Sequence, residues 1–256
     1  MSGRVLLVGA GPGDPELLTL KAARALGAAE VILIDDLVNR AVLEHAPPQV
    51  RVIEVGKRGG CRSTPQAFIQ RLMLQEAQAG RTVVRLKGGD PCLFGRGGEE
   101  AAFLRAHGIA VEVIPGITSG LAAATAAGFS VTHRDASPGV IFVTGHEKDD
   151  AHERIDWRAL AASGLTLVIY MGVANCARIV QRLRAGGLAA ATPAAAIQHA
   201  TLPHQRTACT TLGELTLALA REGIGSPAIL VIGEVARDAL AAQRTVADAT
   251  SRAQAG

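Results

Sequence analysis

Residues Arg4–Gly27 read RVLLVGAGPGDPELLTLKAARALG, and Glu30–Asp36 follow as EVILIDD. The runs VLLV and VILI are continuous rather than alternating, and glycine or acid ends each. Such runs predict strands buried on both faces, the habit of a parallel sheet covered by helices. Between them, Asp14 supplies a capping side chain and Pro15 suits a first helical turn, so one helix is expected through LLTLKAARALG. Further along, RVIEVGKRGG predicts a third strand. Ser63, Thr64 and Pro65 then open a helix that Gly80 closes. RTVVRLKGGDP predicts a fourth strand, GGEEAAFLRAHG a helix and AVEVIPG a fifth strand. The repeated strand–helix order argues for an α/β unit with a parallel sheet.

The second half reads differently. ITSGLAAATAAGFS is helical by composition. GVIFVTGH, LTLVIYMG, PAAAIQHA, QRTACTTL and SPAILVIGEV are strand candidates. WRALAASG, ARIVQRLRAGG and LGELTLALAREG are helices, the last opened by a capping box of Thr211 and Glu214. No helix separates PAAAIQHA from QRTACTTL, which predicts a hairpin and a mixed sheet. The expected organisation is an N-terminal α/β domain over residues 1–115, a C-terminal α/β domain over 116–242, and a flexible tail over 243–256.

Composition narrows the function. A 256-residue chain with 48% hydrophobic and 19% charged residues is not an intrinsically disordered one. One Trp and one Tyr leave almost no stacking platform for single-stranded nucleic acid. Net charge of +3, from 26 basic and 23 acidic residues, is too balanced for a dedicated nucleic-acid binder. No apolar run approaches the roughly 18 residues of a membrane span, and no leader pattern precedes the first strand. A soluble cytoplasmic protein is therefore expected. Cys61, Cys92, Cys176 and Cys209 lack zinc-site spacing, so no metal is expected. Neither a Ser-His-Asp order, an H-E-x-x-H run nor a P-loop lysine appears, which disfavours hydrolases, zinc proteases and NTPases.

Glycine and charge at strand ends mark the candidate site. Gly9–Asp14 (GAGPGD) stands between a strand and a helix, the setting of a dinucleotide loop, with Asp35 and Asp36 ending the next strand as a ribose-binding acid would. An NAD(P)-dependent oxidoreductase is thus one reading. The spacing is G-x-G-x-G, however, and Pro12 removes a backbone donor, which suits a methyltransferase as well. Lys87–Pro91 (KGGDP) ends the fourth strand, where two glycines let a ligand approach the backbone. Arg96, between Gly95 and Gly97, is placed to grip a carboxylate. Glu99 and Glu100 open a helix, and for Glu100 the expected role is interaction with the helix dipole. Lys57, Arg134 and His146 add cations or donors at strand ends, pointing to a polyanionic ligand.

GAGPGDPELLTLKA, LIDDLV, VGKR, VRLKGGDPCLFGRGGEE, PGITSG, THR, TGH and YMG together resemble the tetrapyrrole methylase family, over roughly residues 4–240 in one register. Where that family reads AYAGIPLTHR, this chain reads ATAAGFSVTHR. The resemblance implies S-adenosylmethionine as methyl donor, a homodimer, and two α/β domains with the cofactor in the cleft between them. It implies methylation of uroporphyrinogen III at two pyrrole carbons; a later precorrin is the alternative substrate. The implied cofactor residues are Pro12, Gly88, Gly89, Asp90, Leu93, Thr118, Ser119, Met171, Ala200 and Ala228. Asp35 is implied as proton acceptor and Lys57 as proton donor. Arg96 joins them as a catalytic candidate, and Arg96, Glu99, Arg134, His146 and Met171 are the candidates for binding substrate.

Overall fold

The continuous apolar runs of the first half become five strands: β1 (Arg4–Gly9), β2 (Val31–Ile34), β3 (Arg51–Glu54), β4 (Thr82–Lys87) and β5 (Ala110–Ile114). They pair in parallel in the order β3-β2-β4-β1-β5. The computed structural model describes residues 3–56, 64–146 and 155–241, so Lys57 and the 243–256 tail lie outside the described residues. The chain divides into two units, Met1–Ser119 and Gly120–Gly256.

In the first unit, even-numbered residues of the strands face one way and odd-numbered residues the other, as the two-residue period requires. Leu6, Val8, Ile32, Ile34, Val84 and Leu86 pack on Ala22, Ala25 and Leu26 of α1 (Leu20–Gly27). Val5, Leu7, Val31, Leu33 and Val83 pack on Ile69, Met73 and Ala77 of α2 (Gln66–Gln78) and on Ala101 and Leu104 of α3 (Gly97–Ala106). Both faces are covered, which is why the strands are apolar throughout.

Two helix starts differ from expectation. Asp14 caps only a short 3₁₀ turn, Pro15–Leu17; the chain extends at Leu18, and Thr19 caps α1 afresh through the Ala22 N–H. A side-chain cap on each side of Leu18 makes two short elements more favourable than one helix. At α2, Pro65 precedes the helix with no side-chain cap bond.

The second unit holds β6 (Val140–Thr144), β7 (Thr166–Tyr170), β8 (Pro193–Gln198), β9 (Arg206–Thr211) and β10 (Ala228–Ile232), ordered β6-β7-β10-β8-β9. β6 and β7 are parallel; the other pairs are antiparallel, and β8–β9 is the expected hairpin. One face packs on α5 (Trp157–Ala162), α6 (Cys176–Ala185) and α7 (Leu215–Arg221) through Trp157, Ile179, Leu183, Leu215 and Leu219. α4 (Ser119–Ala126) meets β7, where the Gly120 N–H donates to the Tyr170 hydroxyl at 2.7 Å. The expected Thr211–Glu214 capping box does not form. Thr210, one residue earlier, donates to Glu214 at 3.3 Å, and the chain enters α7 through a 3₁₀ turn, Leu212–Glu214.

Candidate active site

In the first unit, β1 leads to α1 on one face of the sheet, while its neighbour β4 leads to α3 on the other. The chain therefore diverges at the carboxyl ends of β1 and β4, and such a switch point opens the crevice where α/β sheets bind ligands. Both expected glycine loops lie there. Gly11 and Gly89 bridge through their backbones: Gly89 N–H donates to Gly11 O at 2.7 Å, and Gly11 N–H to Gly89 O at 3.3 Å. Both have positive φ, +78° and +65°, a conformation glycine adopts without penalty. The loop after β5 closes on them. A Cβ at Gly9 would sit 2.6 Å from Gly89 O, and one at Gly116 would overlap that same oxygen.

Asp90 locks this arrangement. Its Oδ2 accepts from Gly116 N–H at 3.1 Å and its Oδ1 from Cys92 N–H at 2.8 Å. Pro12, Gly88, Leu93, Thr118 and Ser119 are half-buried. Thr118 Cα and Ser119 N lie 3.8 and 3.7 Å from where a Gly89 Cβ would stand, so these residues do gather around the β4 loop. Arg96 has left-handed backbone (φ +59°) and donates to its own neighbour Glu99 at 2.5 and 3.1 Å. That bond holds the guanidinium above its ordinary pKa. Both side chains are about half exposed, so the pair faces solvent already joined.

The sequence reading missed a buried charge cluster beside Asp35. Arg85 and Lys87, two apart on β4, share the odd-numbered face with Leu33 and with Asp35 just beyond β2. Glu100 lies on the buried stripe of α3 with Gly97, Ala101 and Leu104. It keeps the expected place in the first turn of α3, and the structure adds what the sequence did not show: the side chain is fully buried among cations. Arg85 Nη2 donates to Asp35 Oδ1 at 2.6 Å, and Arg85 Nε lies 3.4 Å from Glu100 Oε1. Lys87 Nζ stands 3.6 Å from both Asp35 Oδ2 and Glu100 Oε1, and Gln66 donates to Glu100 Oε1 at 2.7 Å. Burial first, then the adjacent Arg85 cation, lower the Lys87 pKa, against the pull of Glu100 and Asp35. Side-chain exposures of 2% for Arg85, 7% for Lys87 and 0% for Glu100 contrast with 23% for Asp35. The signal was available in RTVVRLKGG: two cations at strand period in a strand covered on both faces.

In the second unit, Met171 follows β7, Ala200 follows β8 and Ala228 begins β10. The β10–β7 register, Leu230 opposite Ile169, brings Ala228 level with Met171, and Ala228 pairs with Gln198, so all three stand at one sheet edge. His146, two residues past β6, lies at the same edge, since Thr144 pairs with Tyr170. Met171 is half exposed, not packed in the core, and has φ +53°. His199 and Thr201, flanking Ala200, have φ +51° and +70°. Burial, then His204 and Arg206, lower the His199 pKa. Among described residues the non-glycine positive-φ positions are Phe94, Arg96, Met171, His199 and Thr201, all in loops that carry candidate residues. Such strain, about 1–3 kcal/mol each, concentrates at functional sites. Arg134 is exposed in a turn tied by Ser137 to Thr166 at the amino end of β7, the opposite edge from Met171. Among described residues no cluster of three metal-ligating side chains occurs, and no helix is long and apolar enough to cross a membrane.

With this geometry in place, residues 4–216 match the model of the Tetrapyrrole (Corrin/Porphyrin) Methylases. The chain belongs to the tetrapyrrole methylase family. It is 61% identical over 238 residues to the uroporphyrinogen-III C-methyltransferase of Pseudomonas aeruginosa, covering 93% of this chain and 96% of that one. It superposes on the uroporphyrin-III C-methyl transferase of Thermus thermophilus complexed with S-adenyl homocysteine at a TM-score of 0.78 and 42% identity, covering 92% and 94% of the two chains. A cobalt precorrin-4 methyltransferase superposes at a TM-score of 0.82 with 28% identity, covering 91% and 95%. The two α/β units of this tetrapyrrole methylase thus match the fold of solved methyltransferases.

Proposed function

We propose that this chain transfers methyl groups from S-adenosylmethionine to two pyrrole carbons, C2 and C7, of uroporphyrinogen III, giving precorrin-2 for sirohaem- or cobalamin-type tetrapyrroles. The observation that carries this reading is the 61% identity, across nearly the whole chain, to a relative of that name. The superposition on cobalt precorrin-4 methyltransferase favours a second substrate, a later precorrin, but at less than half that identity.

The residues suit the cofactor. Neither Gly88 nor Gly89 carries a Cβ, and Met171 presents a soft apolar side chain from strained backbone. S-adenosylmethionine supplies an electrophilic methyl group on a sulfonium centre. Pro12, Gly88, Gly89, Leu93, Thr118, Ser119, Met171, Ala200 and Ala228 hold it, as does Asp90 through its backbone, since both carboxylate oxygens already accept backbone N–H groups. Arg96, Glu99 and His146 orient the substrate, whose eight carboxylates need cations and donors; Arg134, in a turn at the opposite edge of its sheet from Met171, is not among them. Placing carbon against methyl supplies up to about 7–11 kcal/mol of the rate. Asp35 accepts the proton that the methylated, cationic ring must lose. Lys57 acts as proton donor, and the active form is a homodimer.

Calorimetric titration with S-adenosylhomocysteine and with NADPH, followed by turnover on uroporphyrinogen III, tests the reading. Binding of S-adenosylhomocysteine but not NADPH, with methylation of uroporphyrinogen III, supports it. S-adenosylhomocysteine binding without turnover moves the substrate to a later precorrin. NADPH binding alone restores the oxidoreductase.

A further inference from the structure

Four charged groups stand together on the α2/α3 side of the first unit: Asp35, Arg85, Lys87 and Glu100. A purely structural need is met more cheaply. Replacing buried ion pairs by apolar side chains is often neutral or stabilising, and Arg85 alone already gives Asp35 a charge-assisted bond at 2.6 Å. Yet β4 spends a second buried position on Lys87, at its last residue, directly before Gly88 and Gly89. Glu100 then balances the two cations through Oε1, while its Oε2 is buried with no hydrogen-bond partner among the described residues. Three members are sealed from solvent and one, Asp35, is not. The whole cluster therefore bears on the single carboxylate that a substrate can reach.

We propose that Lys87 and Glu100 are positioning residues that orient the Asp35 carboxylate and set its proton affinity from opposite directions. The proposal rests on the reading of Asp35 as proton acceptor. In the step, a ring-bound hydrogen of the methylated macrocycle passes to an Asp35 oxygen. An O–H bond forms, the bond to the ring atom breaks, and its electron pair stays with the macrocycle. The cluster then changes from two cations and two anions to two cations and one anion. Arg85 and Lys87 now oppose the neutral carboxyl group, favour its return to carboxylate, and ready it for a second methylation. Glu100 tempers that pull. The groups in contact with Asp35 are Arg85 and Lys87 from β4; on the far side of those cations stand Glu100 from α3 and the neutral Gln66 beside it from α2, and Asp36 follows in the chain.

The signature is a pair of shifts of opposite sign. An adjacent cation lowers a carboxyl pKa by about 1–3 units. In Lys87→Met the acid limb of the kcat/KM profile moves to higher pH by about one unit, and Lys87→Arg returns it toward wild type. In Glu100→Gln, which keeps the shape of the side chain, the limb moves to lower pH. S-adenosylhomocysteine affinity stays within about twofold in each, since none of these side chains is placed against the cofactor. The profiles are read on the full-length enzyme beside Asp35→Asn. If Asp35→Asn abolishes the limb while Lys87→Met leaves it in place, the proposal fails and the Asp35 reading stands. If Asp35→Asn keeps both rate and limb, the Asp35 reading itself fails. Should Lys87→Met not fold, Glu100→Gln decides alone: a limb that stays or rises overturns the proposal.

Discussion

Gly89→Ala separates the cost of backbone strain from the cost of blocking a ligand. Gly89 has φ +65°, and a Cβ there would lie 3.7 Å from Ser119 N and 3.8 Å from Thr118 Cα, ordinary contact distances. No overlap adds to the strain, so the penalty is that of an L-residue in left-handed backbone, about 1–2 kcal/mol. The first unit spans Met1–Ser119. At about 2.1 cal/mol/K per residue, its unfolding entropy is roughly 0.25 kcal/mol/K, so a loss of 1 kcal/mol lowers Tm by about 4 °C. Cofactor binding falls further. The new methyl group stands on backbone that the cofactor is proposed to approach, and a loss of S-adenosylhomocysteine affinity of at least about tenfold is expected, near 1.4 kcal/mol. Thermal melting and calorimetric titration measure the two effects on the same sample. Wild-type affinity with the small Tm decrease would refute the placement of the cofactor against Gly89. A Tm loss beyond about 10 °C would refute the strain argument.

Gly116→Ala behaves differently: its Cβ overlaps the Gly89 carbonyl oxygen and crowds Gly9, both backbone, so destabilisation of at least about 3 kcal/mol in denaturant unfolding is expected. Lys87 makes stability depend on alkaline pH. Its folded-state pKa is lowered, chiefly by burial and then by Arg85, so between that value and the ordinary one near 10.4 the unfolded chain holds more protons. Stability therefore rises with pH across that window, and urea unfolding of Lys87→Met at successive pH values should show the rise flattened. Among the described cysteines, Cys92 is exposed while burial pushes the Cys176 and Cys209 thiols up. Cys92→Ser should thus remove one fast-reacting equivalent in a thiol titration, whereas Cys176→Ser should not.

The sheets were legible because their strands are covered. VLLV and VILI admit one explanation, and the absence of a helix between PAAAIQHA and QRTACTTL forced the hairpin. Helix starts were harder. DPELLTLKA contains two capping side chains, Asp14 and Thr19, and nothing local decides whether one helix or two short elements forms. At the site, glycine spacing marked the two loops that the Gly11–Gly89 bridge joins, because close backbone approach demands residues without Cβ; the bridge itself was not legible. The Asp35–Arg85–Lys87–Glu100 cluster was hidden for another reason. Its members come from the residue after β2, from β4 and from α3, and the pairing Leu33–Arg85 is what brings the first two together. Glu100 read as a first-turn acid; its spacing with Gly97, Ala101 and Leu104 on the buried stripe was the overlooked sign.

Anaerobic incubation of the enzyme with S-adenosylmethionine and uroporphyrinogen III, with mass spectrometry of the tetrapyrrole over time, reads out the proposed reaction itself. A transient species one methyl group heavier is expected first, then a final product two methyl groups heavier. A tetrapyrrole of unchanged mass, from enzyme that still binds S-adenosylhomocysteine, would contradict that reaction.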